Sequence, residues 1–582
     1  MKKITLLLLF LLTLQNLFSQ YNFEQFKSYP GLLGGSPNYF TIFNNHLYYS
    51  SASNPSSSNF ELWKSNGTQN GTNQFADINT AMWVGNGSYP RDFMEFNGYL
   101  YFTAEVFGVT GREMYRTNGT TTELFKDFRL GTESGFDIGT NAHQFIVIEN
   151  AMYFFAREDD NGYDLWKTDG TIEGTQKLVE LNSFSLGLRN YFFELNGDLI
   201  FLMNDTSDEI IGNELYKYSV ATNTVSLVKD INPTNSNTSS IHTLFLTKFD
   251  DRLFFTAHNG TERKLYVTDG TEAGTHTVEN EIPINYTNPG QLHVFNNELY
   301  FIATVNGLGI DLYKCKKDTE DEDNDGKVDD YYIQLVHDFN AGGNNNLQPF
   351  VDYLLTEVPP VFLEHNNELY FAAREQNAPN NGNNYQIYKT NGTTTQIVFP
   401  IDETQMGPAN DPLYLLKSFD NKLFFTISGL GMPTHQLWVA NPANDSLTRL
   451  TDYYGSNSQP QDVSWSIENR PIIYNDELFF RASTNDEGTE LWKISNQSLS
   501  SENFENNNNI AIYPNPASNT ISIEGNFSNN FNISIYDIVG KQIGSCKNQK
   551  SIVISNLVSG VYFLQIVNLE KSQIITKKII KQ

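Results

Sequence analysis

The run Asp318 to Asp330, DTEDEDNDGKVDD, places carboxylates at a spacing suited to a hard cation. Asp321, Asp323 and Asp325 alternate, Gly326 permits a sharp bend, and Asp329 or Asp330 follows. Ca2+ takes about six to eight oxygen ligands. Loop carboxylates at positions one, three and five, with glycine at six, wrap around it while the next residue lends a backbone carbonyl. Asp321, Asp323, Asp325, Lys327 through its carbonyl, and Asp329 are therefore the candidate Ca2+ ligands. The same run also reads as an acidic, solvated loop that holds no ion.

Other chemistry is thin. The nine histidines are scattered, with no HExxH, no His/Cys cluster, no G-x-S-x-G elbow and no phosphate-binding glycine loop. No catalytic residue and no organic cofactor are assigned. His242 and His293 fall in expected strands, where a structural role is the simpler reading. Outside the carboxyl-terminal tail lie 64 of the 67 acidic residues. Two of them could converge for glycoside chemistry, which needs carboxylates about 5 to 10 Å apart, but one sequence does not show which.

A chain of 582 residues with net charge -29 and a pI near 4.6 repels phosphate backbones, and no Lys/Arg stripe offsets this, so nucleic acid is excluded as a partner. Gly 40, Pro 20, aromatics at 14% and abundant Asn and Thr suit short strands joined by turns, which makes all-β the expected class. Met1 to Gln20 carries Lys2 and Lys3, an apolar run from Ile4 to Leu14 and a polar exit. It reads as a secretory signal peptide, since the run is short of the ~20 residues a membrane span requires. No cysteine near the exit supports a lipid anchor, and no transmembrane segment is expected elsewhere. The two cysteines, Cys315 and Cys546, exclude a disulfide framework.

What could position the acidic run is a repeat. DLWKTDGTIEGT from Asp164 returns as KLYVTDGTEAGT from Lys264, with weaker copies from Glu61, Glu113, Glu214, Asp311, Gln386, Gln436 and Glu490, nine in all. Each follows an aromatic residue, an Asn/Asp/Gly turn pair and an apolar run, such as FNNHLYYSS from Phe43 and FNNELYFIA from Phe295. Such pairs tolerate left-handed backbone and suit tight hairpins. A short strand follows the Asp-Gly string, giving four strands per unit. The period is about 46 to 70 residues, from Phe249 to Phe295 at the shortest and Phe295 to His365 at the longest. A four-stranded unit of this size matches a β-propeller blade.

The expected fold is a large β-propeller of about eight to nine blades over residues 21–494. The ninth unit lacks a clear fourth strand, and YNFEQFKSYPG from Tyr21 looks like an isolated one, so the two ends should latch the ring. Nine units also leave open two smaller rings or one irregular unit, for which LNGDLIFLMN from Leu195 is the candidate. The strings resemble the ELWxxDGTxxGT repeats of secreted bacterial propellers, through Leu165, Trp166, Asp169, Gly170, Gly174 and Thr175 and their counterparts from Leu265 to Thr275. In the sixth unit the acidic run replaces the Asp-Gly loop. That run departs from an EF-hand, since Tyr332 stands where a bidentate Glu belongs, and is similar to the DxDxDGxxD loops of thrombospondin type 3 repeats.

Residues 495–509, SNQSLSSENFENNNN, read as a polar linker. From Ile510 onward seven lysines face Glu524, Asp537 and Glu570, a balance of +4 that leaves -33 on the remainder. Short alternating strands predict a small β-sandwich over 510–582. Tyr513-Pro514-Asn515-Pro516, IYDIVGK from Ile535, LVSGVYFLQI from Leu557, and Lys577, Lys578 and Lys581 resemble the type A sorting domain of the type IX secretion system of Bacteroidota. The resemblance implies the type IX machinery as a partner and passage through the periplasm and outer membrane to the cell surface or the medium.

These readings favour a non-catalytic extracellular protein that presents loops to glycans or surface proteins. The alternatives are a secreted carbohydrate-active enzyme using the propeller mouth and a structural component of the surface coat.

Overall fold

The computed structural model describes residues 21–26, 34–52, 59–80, 87–131, 134–136, 145–183, 192–205, 212–233, 241–280, 286–305, 309–317, 331–339, 362–374, 385–399, 413–428, 435–451, 460–463, 470–484, 488–496, 511–524, 530–537, 541–568 and 573–582. Every regular element among them is a β-strand. Two compact units divide the chain, residues 1–496 and 497–582.

In the first unit the described strands form nine sheets, each ordered as first, second, third and fourth strand. We number these blades 1 to 9, beginning at residues 38, 91, 145, 192, 241, 286, 362, 413 and 472. Pairing is antiparallel except in blade 6, where Glu279–Asn280 adds in parallel beside Tyr331–His337. The two-residue hairpins explain the first connection. Asn44 and Asn45 both have positive φ, as do Asn296 and Asn297, Asn366 and Asn367, and Asn475 and Asp476, which is the geometry of a turn whose twist matches the flanking strands. Second strands are apolar on both alternations because each lies between two neighbouring blades; Leu47 to Ala52 and Leu299 to Ala303 illustrate this, with only polar Ser50 and Ser51 interrupting.

The apolar clusters show how the blades are arranged. Phe43, Tyr48 and Leu62 of blade 1 pack on Leu100, Phe102 and Tyr115 of blade 2. Seven further clusters join blade 2 to 3, and so on to blade 9. A final one joins Phe26, Tyr474 and Phe479 of blade 9 to Leu47, Tyr49 and Trp63 of blade 1. A series whose last member touches its first is a closed ring, so the unit is a single β-propeller of nine blades. The blade around LNGDLIFLMN is an ordinary four-stranded sheet. First strands of successive blades approach one another and therefore line the ring axis.

Blade 9 takes its fourth strand from the beginning of the chain. Tyr21–Phe26 pairs with Gly488–Asn496 from Tyr21 opposite Asn496 to Phe26 opposite Leu491. The Tyr21 ring meets Phe424 of blade 8 edge-on at 5.4 Å, and Phe26 is buried toward blade 1. The third strand runs to Asn496, two residues past the boundary at 494 expected from sequence.

The second unit stacks a three-stranded sheet on a four-stranded one. Ile521, Ile523 and Ile552 from the first share one core with Ile533, Leu564 and Ile579 from the second. Asn515 fastens the first strand's end to the last strand, donating to the Lys578 carbonyl at 2.9 Å and accepting from the Ile580 amide at 2.8 Å.

Candidate functional site

The repeated Asp-Gly string is the first candidate, and its atoms are occupied by one another. In blade 3, Asp169 Oδ1 accepts from the Thr171 amide at 2.8 Å and the Thr171 hydroxyl at 2.7 Å. The Gly170 amide donates to Thr168 Oγ1, the Gly174 amide donates to Thr171 Oγ1, and the Thr168 and Thr175 hydroxyls meet at 2.7 Å. Asp269, Thr271 and Thr275 repeat the arrangement in blade 5. Asn66, Asn118 and Asn391 stand in the Asp position and accept the same pair of bonds from Thr68, Thr120 and Thr393. Gly170 has φ +95, and a Cβ at Gly174 would sit 2.2 Å from Asp169 Oδ1, so glycine is required at both positions.

The basic residue of the string has a partner in the next blade. Lys64 Nζ donates to the Gly119 carbonyl at 2.8 Å, Arg116 Nη1 to Gly170 at 2.8 Å, Lys314 Nζ to Gly392 at 2.9 Å and Lys493 Nζ to Gly67 at 3.1 Å. Each is a third-strand cation reaching the turn of the following blade, and the last of these crosses the ring closure. The guanidinium of Arg116 lies between the Tyr99 and Phe125 rings, at 4.4 and 4.8 Å. A charge-assisted bond over aromatic faces is a strong fastening. The string is therefore an inter-blade connector.

The acidic residue that opens the string was not singled out from sequence. Glu61, Glu113, Asp164 and Asp311 are buried at the start of third strands. Each accepts bonds from backbone amides in the fourth strand or in the loop after it. Glu61 serves Ile78, Asn79 and Ser88. Glu113 serves Phe128 at 2.9 Å, Arg129 at 3.4 Å and Gly135 at 2.7 Å. Asp164 takes Leu181, and Asp311 takes Phe339. Burial pushes the Glu113 carboxyl up to about 8 and that of Asp311 to about 7, the amide donors opposing this only in part. Carboxylates raised in this way resemble catalytic acids, but Glu113 and Asp311 face loop backbone and hold it in place.

The ring has two unlike rims. Strands alternate in direction, so the first hairpins and the Asp-Gly turns share one rim. The Asn97 amide donating to the Asp169 carbonyl at 2.8 Å, and Asn196 to Asp269 at 3.4 Å, tie them together. The opposite rim carries the second-to-third connections and the links between blades, including residues 127–144, 338–361 and 450–471.

Asp321, Asp323, Asp325, Lys327 and Asp329 lie outside the described residues. Lys317 and Tyr331, which flank the run in sequence, are paired across the sheet. Both reach Asp250 Oδ2 in the first hairpin of blade 5, Lys317 Nζ at 2.6 Å and the Tyr331 hydroxyl at 3.2 Å. Lys317 holds the Asp250 carboxyl below its ordinary range. Among the described residues no group of three His, Cys, Asp or Glu is placed to hold a metal ion. His293 bonds Glu364 of the next blade at 3.0 Å, and burial lowers its pKa; the His242 side chain lies outside the described set. Cys315 is buried and Cys546 half-buried, both as free thiols. Among the described residues no helix is long and apolar enough to cross a membrane.

Comparison with known proteins adds to this geometry. Among curated proteins none is significantly similar to the chain. Among solved structures the chain is similar to PorZ, an essential bacterial surface component of the type-IX secretion system of Porphyromonas gingivalis. Identity is 11%, coverage 93% of this chain and 75% of that one, and the TM-score 0.31. It is also similar to the extracellular domain of BT4673 from B. thetaiotaomicron, at 11% identity, 96% and 99% coverage and TM-score 0.29. A prolyl endopeptidase matches at 9% identity, 70% and 54% coverage and TM-score 0.33. The fold assignment rests on the sheet order and the closed series of clusters. Residues 511–582 match the secretion system C-terminal sorting domain family. The tail that the sequence singled out by its lysines and its Tyr-Pro-Asn-Pro string is thus a type IX sorting domain, and the chain that carries it is exported across the outer membrane to the cell surface or the surrounding medium.

Proposed function

We propose that the protein is a non-catalytic extracellular binding protein whose long-loop rim recognises glycans or surface proteins. The observation that carries this reading is the division between the rims. One is built from short, mutually fastened turns, whereas the other bears connections of widely differing length, and rigid scaffolds commonly carry recognition on such loops. Those connections include Phe350, Tyr353, Tyr453, Tyr454 and Trp465 in sequence, and Phe107, Val109 and Leu130 stand exposed among the described ones. Asn496 and Tyr21 are paired at the end of the blade 9 third strand, which therefore ends at the tight-turn rim. The exported protein is expected to bind on an array of bacterial, algal and plant glycans, or to capture a surface protein, without turnover of polysaccharide. Measured release of reducing ends or unsaturated sugars would replace this reading with a carbohydrate-active enzyme.

The acidic run is proposed to bind Ca2+ through Asp321, Asp323, Asp325, the Lys327 carbonyl and Asp329. Its donor types suit a hard cation, and its base is pinned to blade 5 through Asp250. Titration calorimetry of the purified chain with Ca2+ should show heat that Asp323→Ala and Asp325→Ala abolish. Equal heats in all three proteins would remove the ion from the account.

A further inference from the structure

Leu130, Phe107 and Val109 are 85%, 72% and 60% exposed, the three most exposed large apolar side chains among the described residues of the propeller. All three belong to blade 2 and stand on the long-loop rim. Phe107 and Val109 sit in the hairpin between Tyr99–Val106 and Gly111–Thr117, and Leu130 in the loop after the fourth strand, Thr122–Lys126. Single exposed apolar residues are ordinary, whereas several confined to one edge of one blade mark a contact surface. Building on the reading of that rim as the recognition surface, we propose that this edge of blade 2 docks a protein segment in which basic residues flank an apolar anchor, rather than a glycan.

The support beneath these side chains is fixed. The Val109 and Thr110 amides donate to the Val106 carbonyl at 3.0 and 3.1 Å, which closes the hairpin. Glu113, two residues past the Gly111 that ends it, accepts from the Phe128 and Arg129 amides and so holds the segment bearing Leu130 at the hairpin's base. An apolar cluster held in advance loses little freedom on binding. The neighbouring charges select the partner's sign. Arg129 pairs with Asp160 in the blade 3 hairpin, and Lys177 pairs with Glu158 there at 2.6 Å. The cations of these pairs are drawn in and the acids stand out: the Arg129 side chain is 12% exposed and that of Asp160 93%. Glu158 and Asp159 are exposed beside it. A docking chain thus meets apolar side chains bordered by carboxylates, and lysine or arginine around an apolar anchor complements both. Val109 and Leu130 offer no flat aromatic face to a sugar ring, and the carboxylates repel acidic polysaccharides.

The test is fluorescence anisotropy of the exported protein with labelled peptides about ten residues long, of alternating Lys and Leu, alternating Lys and Ser, and alternating Glu and Leu. The Lys-Leu peptide should bind the wild type, and the other two should bind at least about tenfold more weakly. Phe107→Ser, Val109→Ser and Leu130→Ser together should weaken Lys-Leu binding at least about tenfold. The unfolding midpoint should not move, because all three side chains face water. Asp159→Asn with Asp160→Asn should weaken binding and reduce its dependence on salt. Ile172→Ser with Val220→Ser, on the tight-turn rim, should leave it unchanged. A Lys-Leu peptide that does not bind the wild type, or that binds the triple variant as tightly, overturns the proposal. A triple variant that loses glycan capture instead also overturns it, in favour of a sugar site. None of these results touches the wider reading of the rim, which is tested separately by exchanging its loop at residues 340–361.

Discussion

Gly170→Val is expected to lower the stability of the propeller without touching any recognition surface. The backbone there has φ +95, where a β-branched residue is strained by about 1–3 kcal/mol. The added side chain would also press on Asn97 and Tyr101 of the preceding blade, whose side chains lie 3.4 Å from the position of the new Cβ. Asn97 and Arg116 bond the carbonyls of Asp169 and Gly170, so displacing the turn loosens the fastening between blades 2 and 3 as well. Denaturant unfolding of the two proteins measures the loss. Ile172→Ser, in the same turn but half exposed, should change stability by no more than about 0.5 kcal/mol. An unaltered unfolding curve for Gly170→Val would contradict the assignment of the string to architecture.

Glu113→Leu is expected to be worse. It leaves the amides of Phe128, Arg129 and Gly135 without their acceptor, and an unsatisfied buried donor costs about 1–3 kcal/mol. Glu113→Gln keeps an acceptor and should recover much of that loss. The same residue gives the fold a pH dependence of defined sign. Its carboxyl titrates near 4.5 when unfolded and about 8 when folded, so between those values the folded state holds the extra proton. The contribution is fully present below the unfolded pKa and is lost as pH rises through the folded one. Asp311, raised to about 7, adds to the same window. Unfolding midpoints measured from pH 5.5 to 9 should fall for the wild type and fall less for Glu113→Gln. Parallel profiles would show that Glu113 is not the titrating group.

Local chemistry was readable in the chain. Asn-Asn and Asn-Gly pairs marked hairpins because few other residues accept two positive φ values in succession, and the Asp-Gly string marked a turn because Asp and Thr can close it from within. The closing strand was also legible, since a ninth unit without a fourth strand and an unattached strand at Tyr21 complete each other. What the sequence concealed depends on partners far along the chain. Glu113 contacts amides up to Gly135, and Arg116 contacts Gly170 in another blade, so neither role follows from neighbours in sequence. Asp250, in an unremarkable Asp-Asp hairpin, bonds Lys317 and Tyr331 of the following blade, the residues on either side of the acidic run in sequence. The third strand of blade 9 ends at Asn496 because Tyr21 pairs with that residue; composition alone places the linker two residues earlier.

Binding measured on rim variants of the exported protein tests most directly whether recognition sits on the long-loop rim. Two variants are needed: one with residues 340–361 replaced by an equally long Gly-Ser segment together with Phe107→Ser, and one with Ile172→Ser on the tight-turn rim. Binding to the immobilised glycans or surface protein captured by the wild type should be lost in the first, with its unfolding midpoint unchanged, and kept in the second. Binding that survives the first variant, or disappears in the second, would contradict the assignment of recognition to the long-loop rim.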